Sequence, residues 1–310
     1  MINLQSESEL SCPSSDEHDQ VMLPVIQVDR AQDMKYGSSI VAYLVREIFC
    51  AAPLSKLSPP HQMNPFREHI QVEEVSLKTK SGERLGAWVV VCKEKVPDLW
   101  VLALHGNSTN RYTFSQRYDI EKMIEKNVGV LIVDYRGFAD SEGVPNKQAF
   151  LEDVAACFKY FRRRGIDTVG VLAYSLGTAI ALEYLAVYYH REAGPGLSLK
   201  ISKLVLVSPF ASTTALLQEY QVWRIMQKFL PKSNEHAMRG LGYDSITNIK
   251  KIAIPTLIVH GSSDWIIPWQ HGEQLSKAAG AVFVKVENAS HSSVFKDPAT
   301  WGLITSFFRE

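Results

Sequence analysis

The sequence predicts an α/β fold: a mostly parallel, eight-stranded sheet with helices on both faces and a small helical insertion at its rim. Two observations carry this. From residue 70 onward, apolar or alternating runs recur at 72–78, 85–92, 99–104, 128–133, 169–173, 203–207, 255–260 and 281–286, with the length and composition of strands. Between the later runs, apolar residues fall at helical spacing. Strands that alternate with helices build a parallel sheet buried on both faces.

The elements follow in order. Residues 1–20 hold five acids, five serines and no Lys or Arg, the composition of a disordered tail. Ile40, Val41, Leu44, Val45, Ile48 and Phe49 then mark a short helix over about 36–50, and Pro53, Pro59, Pro60 and Pro65 an extended connector. Residues 1–69 are therefore read as an N-terminal extension and 70–310 as the main domain. The first two strands are separated only by Lys80-Ser81-Gly82-Glu83, which suits a hairpin. A helix over 147–164 places Phe150, Val154, Cys157, Phe158 and Phe161 on one face and stops at Gly165. Another spans 176–190. The last begins at Asp297-Pro298, an N-cap followed by Pro at the first helical position.

The alternation breaks once. Nearly fifty residues separate the strand ending near Val207 from the one starting at Pro255, and they include the amphipathic stretch Val222–Leu230, stopped by Pro231. An insertion of this length at the rim of such a sheet, about 210–245, is read as a lid; packing of its Trp, Met and Phe against its own underside is the equal alternative.

Composition narrows the function. In 310 residues, 33 basic side chains balance 33 acidic ones, which removes the simplest electrostatic case for nucleic acid. Cys12, Cys50, Cys92 and Cys157 form no CxxC pair, so neither a zinc site nor a disulfide framework is indicated. No run approaches the ~18 apolar residues of a membrane span, and the acidic start does not suit a signal or transit peptide. A soluble, cytoplasmic protein is expected. The 36–50 helix is expected to pack against the main domain; a weak contact with an intracellular membrane surface, through residues 36–50 or the lid, is the second expectation.

The G-x-S-x-G pattern marks a sharp strand-to-helix turn that exposes a serine above a sheet edge. With Ala allowed for the first Gly it occurs twice, at Ala139-Asp140-Ser141-Glu142-Gly143 and at Ala173-Tyr174-Ser175-Leu176-Gly177. Only Ser175 follows a β-like run and opens directly into a helix; Ser141 reads as a turn residue. A serine hydroxyl needs a base, and the base a carboxylate to orient it. Asp264 and His291 each lie just beyond the end of a later strand, in the chain order Ser, acid, His that such sheets use. Asp244 is the rival acid.

Of nine histidines, His105 and His260 adjoin glycines at strand ends and read as structural. His271 is expected on the helix after Asp264, facing solvent. His61, His69, His190 and His236 lack a strand-end context, and His18 lies in the tail. The backbone N–H groups of Leu176 and Asn107 are the expected oxyanion donors.

Over residues 70–310, these features resemble the alpha/beta-hydrolase family. The resemblance rests on Leu104-His105-Gly106-Asn107, Asp134-Tyr135-Arg136-Gly137, Ser175-Leu176-Gly177-Thr178, Ser208-Pro209-Phe210, and His260-Gly261-Ser262-Ser263-Asp264 with Ile267-Pro268. The second and fourth look most like the intracellular serine hydrolases that include monoacylglycerol and lysophosphatidylserine lipases. The resemblance implies hydrolysis of a carboxylic ester, of a small molecule or lipid, with no cofactor and no metal. A thioesterase acting on acylated proteins would use the same three residues. A non-catalytic binding scaffold would be expected to have lost one of them.

There are departures from the pattern. Ala173 replaces the usual glycine before the serine, Ala139 replaces the second glycine of the Arg-Gly-x-Gly loop, and the membrane-spanning helix of several lipase relatives is not seen. The sequons at Asn107 and Asn288 fall in the expected active-site loops, where a glycan would obstruct substrate; this too argues for an intracellular setting.

Overall fold

All eight predicted strands form, and they pair into one sheet of order β1-β2-β4-β3-β5-β6-β7-β8. The computed structural model describes residues 66–107, 109–187, 189, 199–220 and 242–310. β1 (Ile70–Lys78) and β2 (Arg84–Cys92) make the predicted hairpin, and β2 runs antiparallel to β4 (Val128–Val133). The other pairings are all parallel, joining β3 (Leu99–Leu104), β4, β5 (Thr168–Tyr174), β6 (Lys200–Val207), β7 (Thr256–Gly261) and β8 (Val282–Val286).

The helices are α1 (Arg111–Arg117), α2 (Glu121–Glu125), α3 (Lys147–Arg163), α4 (Leu176–Val187), α5 (Thr213–Glu219), α6 (Ser245–Ile249), α7 (Gln270–Ala279) and α8 (Pro298–Arg309). Strand residues alternate between two cores. Leu102, Leu104, Leu131 and Val171 face the layer holding Phe150, Phe158, Phe161 and Ile180 of α3 and α4. Val101, Ala103, Val130 and Leu172 face Phe114, Met123, Trp301 and Phe308 of α1, α2 and α8. Central strands are thus covered on both faces, which is why they read as continuous apolar runs.

The helix ends follow their local signals. Asn146 caps α3 by accepting from Ala149 N–H, Gly165 beyond it has φ +70°, and Asp297 caps α8 with Pro298 behind it. The predicted face of α3 is buried along its length, each aromatic contributing about 1.5–3 kcal/mol relative to exposure.

One topological feature positions the site. The chain leaves β3 for β4 on one side and later leaves β5 for β6 on the other, although β3 and β5 are neighbours. Loops after these strands diverge there, opening the crevice where open α/β sheets place their ligands. The predicted helix over 36–50 and the amphipathic stretch 222–230 of the predicted lid lie outside the described residues.

Candidate active site

Ser175 joins β5 to α4 with φ +52°, a left-handed conformation that costs an ordinary side chain about 1–3 kcal/mol. Its N–H donates to Val207 O (3.0 Å), and its carbonyl accepts from Thr178 N–H (3.0 Å) and Thr178 Oγ1 (2.6 Å). A Cβ on Gly177 would lie 2.4 Å from Leu104 O, so only glycine lets the first turn of α4 close on β3. Ala173, with its small side chain fully buried, fits the place where glycine is usual. Ser141 has a different setting. It is buried in a turn, its Oγ accepting from Gly86 N–H (2.9 Å) and donating to Asp134 O (2.8 Å). Nearby Ala139 takes φ +43°, so the loop keeps a glycine-like backbone without the glycine.

Ser175, His291 and Asp264 come together. His291 Nε2 lies 3.1 Å from Ser175 Oγ, and Nδ1 lies 2.8 Å from Asp264 Oδ2. Asp264 Oδ1 accepts from the N–H groups of Ile266 (3.0 Å) and Ile267 (2.8 Å). Burial pushes this carboxyl up, but hydrogen bonds from His260 and His291, the charge of His291 and the Ile267 N–H outweigh it. The group is held well below the usual carboxylate range. The acid-bearing and base-bearing loops are joined directly: Ser263 N–H donates to Ala289 O (2.9 Å), and Asn288 N–H to Ser262 Oγ (2.8 Å). His291 is further steadied by Tyr174, whose hydroxyl donates to the His291 carbonyl (3.3 Å) and whose ring lies 5.1 Å from the imidazole.

Beside the serine runs the loop after β3. A Cβ on Gly106 would sit 3.1 Å from Ser175 Cβ, so this loop passes directly against the serine, with Asn107 next along it. Leu176 is the first residue of α4, and its N–H belongs to the set a helix leaves without an intrahelical acceptor.

The loop is braced from below by a buried ion cluster. Arg111 N–H donates to Asp134 Oδ1 (2.6 Å), its guanidinium pairs with Asp134 Oδ2 and with Asp140 Oδ1 (2.6 Å), and it stacks over Trp88 at 5.4 Å. Tyr135 Oη donates to His105 O (3.1 Å). The Asp-Tyr-Arg-Gly segment thus anchors the His-Gly-Asn segment, a link that needs distances and cannot be read from spacing. Arg111 and Asp140 are the participants that sequence reasoning missed.

The remaining candidates fall elsewhere. His105 is fully buried, its Nδ1 donating to Gly106 O (2.8 Å). Asp244 caps α6, accepting from Thr247 N–H (3.1 Å). His271 does not face solvent: it is buried, and its Nδ1 accepts from Ala211 N–H (3.3 Å). The segment after β6 covers the first turn of α7, turning His271 and Leu275, four residues apart, into its inner face. His69 is exposed; His18, His61, His190 and His236 lie outside the described residues. Among the described residues, His69, Glu121 and Glu125 alone cluster as potential metal ligands, and Arg67 already pairs with both carboxylates.

The profile of the alpha/beta hydrolase family matches residues 101–301. The chain belongs to that family. Among curated relatives of this hydrolase, the uncharacterized protein YfhR of Salmonella typhi is 28% identical over 220 residues, 66% of this chain and 68% of that protein. Lysophosphatidylserine lipase ABHD12 of Macaca fascicularis is 27% identical over 186 residues, 58% of this chain but 45% of that protein. In fold, the hydrolase is similar to an esterase from Pyrococcus furiosus, with a TM-score of 0.60 at 18% identity over 77% of this chain and 92% of that one. Among the described residues, no helix is long and apolar enough to cross a membrane.

Proposed function

We propose that this hydrolase is a serine esterase that cleaves carboxylic esters, with lipid-like acyl groups as its substrate class. The observation that carries the reading is the unbroken line from Asp264 through His291 to Ser175 Oγ, at 2.8 and 3.1 Å. His291 takes the proton from Ser175, and the oxygen attacks the ester carbonyl to form an acyl-enzyme. The Leu176 and Asn107 N–H groups hold the tetrahedral oxyanion, with the N-terminus of α4 adding its field. Asp264 fixes the ring and stabilises the imidazolium, and water releases the acyl group by the same route. The similarity to a lysophosphatidylserine lipase supports a lipid substrate. So do Trp265 and Tyr220 beside the acid, 52% and 38% exposed, an apolar margin suited to an acyl chain.

The test is labelling with a fluorescent fluorophosphonate. Wild type and Ser141→Ala are expected to label, and Ser175→Ala to remain dark. A folded wild type that resists the probe, or a Ser175→Ala protein that still takes it, overturns the assignment.

A further inference from the structure

We propose that His260 is a positioning residue, a second imidazole that donates to Asp264 and locks the carboxylate in the orientation His291 requires. This rests on the reading of Ser175, His291 and Asp264 given above. His260 Nε2 lies 2.8 Å from Ile267 O and 3.2 Å from Asp264 Oδ2. A carbonyl oxygen can only accept, so Nε2 carries the hydrogen, bonded to Ile267 O with Asp264 Oδ2 as its second, longer acceptor. Nδ1 has no hydrogen-bond partner among the described residues and faces Gly272, where a Cβ would come within 2.6 Å of it. The fully buried ring therefore has one N–H to give, and gives it here.

The result is a closed set of bonds. Ile267 donates its N–H to Asp264 Oδ1 and offers its carbonyl to His260, while His260 reaches Oδ2. With Ile266 N–H and His291 Nδ1 the carboxylate meets four donor groups, three in direct hydrogen bonds and His260 in the longer 3.2 Å contact, about its full capacity. A saturated carboxylate cannot rotate, and Oδ2 stays aimed at His291. The His260 donor also draws charge from Oδ2 and moderates its grip on a protonated His291. The other titratable groups facing this cluster are His271 on α7, Glu219 at the end of α5, whose charge acts on His271, and Tyr220 just beyond it, whose hydroxyl is pushed up by burial and by the charge of Asp264.

The experiment uses the full chain and p-nitrophenyl butyrate, with kcat and KM measured from pH 5 to 9 for wild type, Ser175→Ala, His260→Gln and His260→Leu. Folding is checked by near-ultraviolet circular dichroism. In His260→Leu we expect KM within about twofold of wild type and kcat lowered about tenfold, the scale of one hydrogen bond to a charged group. The acid limb of the profile is expected to move upward by about half a pH unit or more. His260→Gln, whose amide N–H can replace Nε2–H, restores both. A folded His260→Leu with the wild-type profile overturns the proposal, as does a His260→Gln as impaired as His260→Leu. Nitrogen NMR of wild type provides a check independent of variant folding: His260 with its hydrogen on Nδ1 refutes the geometry. Full activity in Ser175→Ala would refute instead the underlying reading of the site, while leaving the NMR result interpretable.

Discussion

Gly261 and Ala289 lie so close that a Cβ on the first would come within 2.3 Å of the carbonyl oxygen of the second. The loop that carries His291 crosses the strand end that leads to Asp264 at this point, and a hydrogen side chain is all the crossing allows. Gly261→Ala should push the two loops apart. Displacement of a catalytic group by about 1 Å costs on the order of 100-fold in rate, so ester hydrolysis is expected to fall by that factor while the fold survives. An alanine variant with wild-type turnover would show the crossing to be unimportant.

The left-handed backbone at Ser175 predicts a trade of stability against function. Ser175→Gly should remove the proposed nucleophile and raise stability in urea by about 1 kcal/mol, since glycine takes positive φ without steric cost. Equal or lower stability in the glycine variant would show that the turn carries no strain.

Ala139, with φ +43°, should respond in the same direction without touching the chemistry. Ala139→Gly is expected to stabilise by about 0.5–1 kcal/mol, read as a shift in the urea midpoint, with hydrolysis unchanged.

Arg111 is 1% exposed and holds two aspartates, one of them fully buried. Arg111→Met leaves Asp134 desolvated and short of its guanidinium partner, a loss of about 3–5 kcal/mol for a broken buried pair. Because the same cluster braces the loop bearing Asn107, kcat should fall even below the temperature at which the variant unfolds. A stable variant with normal kcat would separate the cluster from the site.

Two shifted groups give stability a defined pH dependence. Burial lowers the His271 pKa, so the native state binds fewer protons here than the unfolded chain. Its contribution is complete above about pH 6.5, the ordinary histidine value, and is lost as pH falls below it. Asp264, also lowered, contributes fully above about pH 4 and loses its share only below that. Unfolding free energy should therefore decline between pH 7 and 5.5 in wild type. His271→Gln should flatten that window, and Asp264→Asn should not. A wild-type slope retained in His271→Gln would assign it to another group.

Several of these features could be read from residues alone, and for identifiable reasons. Strands covered on both faces spell uninterrupted apolar runs, so β3 to β7 were visible without any structure. The loops holding Ser175 and Asp264 were legible because each follows such a run directly, and that of His291 because it follows the mostly apolar edge strand β8. Helices α1, α2, α5 and α6 span five to seven residues, too short for a 3.6-residue period to repeat, and they went unpredicted. His271 was misjudged because a loop from elsewhere in the chain, not its own helix, decides its burial. The double hold on Asp264 has no signature at all in spacing, since it depends on how far Ile267 folds back over His260.

The site also has a calendar. Ser175 and His291 are 116 residues apart, and a ribosome adding about 5–20 residues per second needs on the order of ten seconds to travel between them. Throughout that interval the nascent chain carries a serine whose base has not been made, and whose acid is also still to come. Under the proposed roles, newborn molecules are chemically silent towards esters until β8 joins the sheet edge. Covalent labelling during translation would then report the moment of completion, chain by chain.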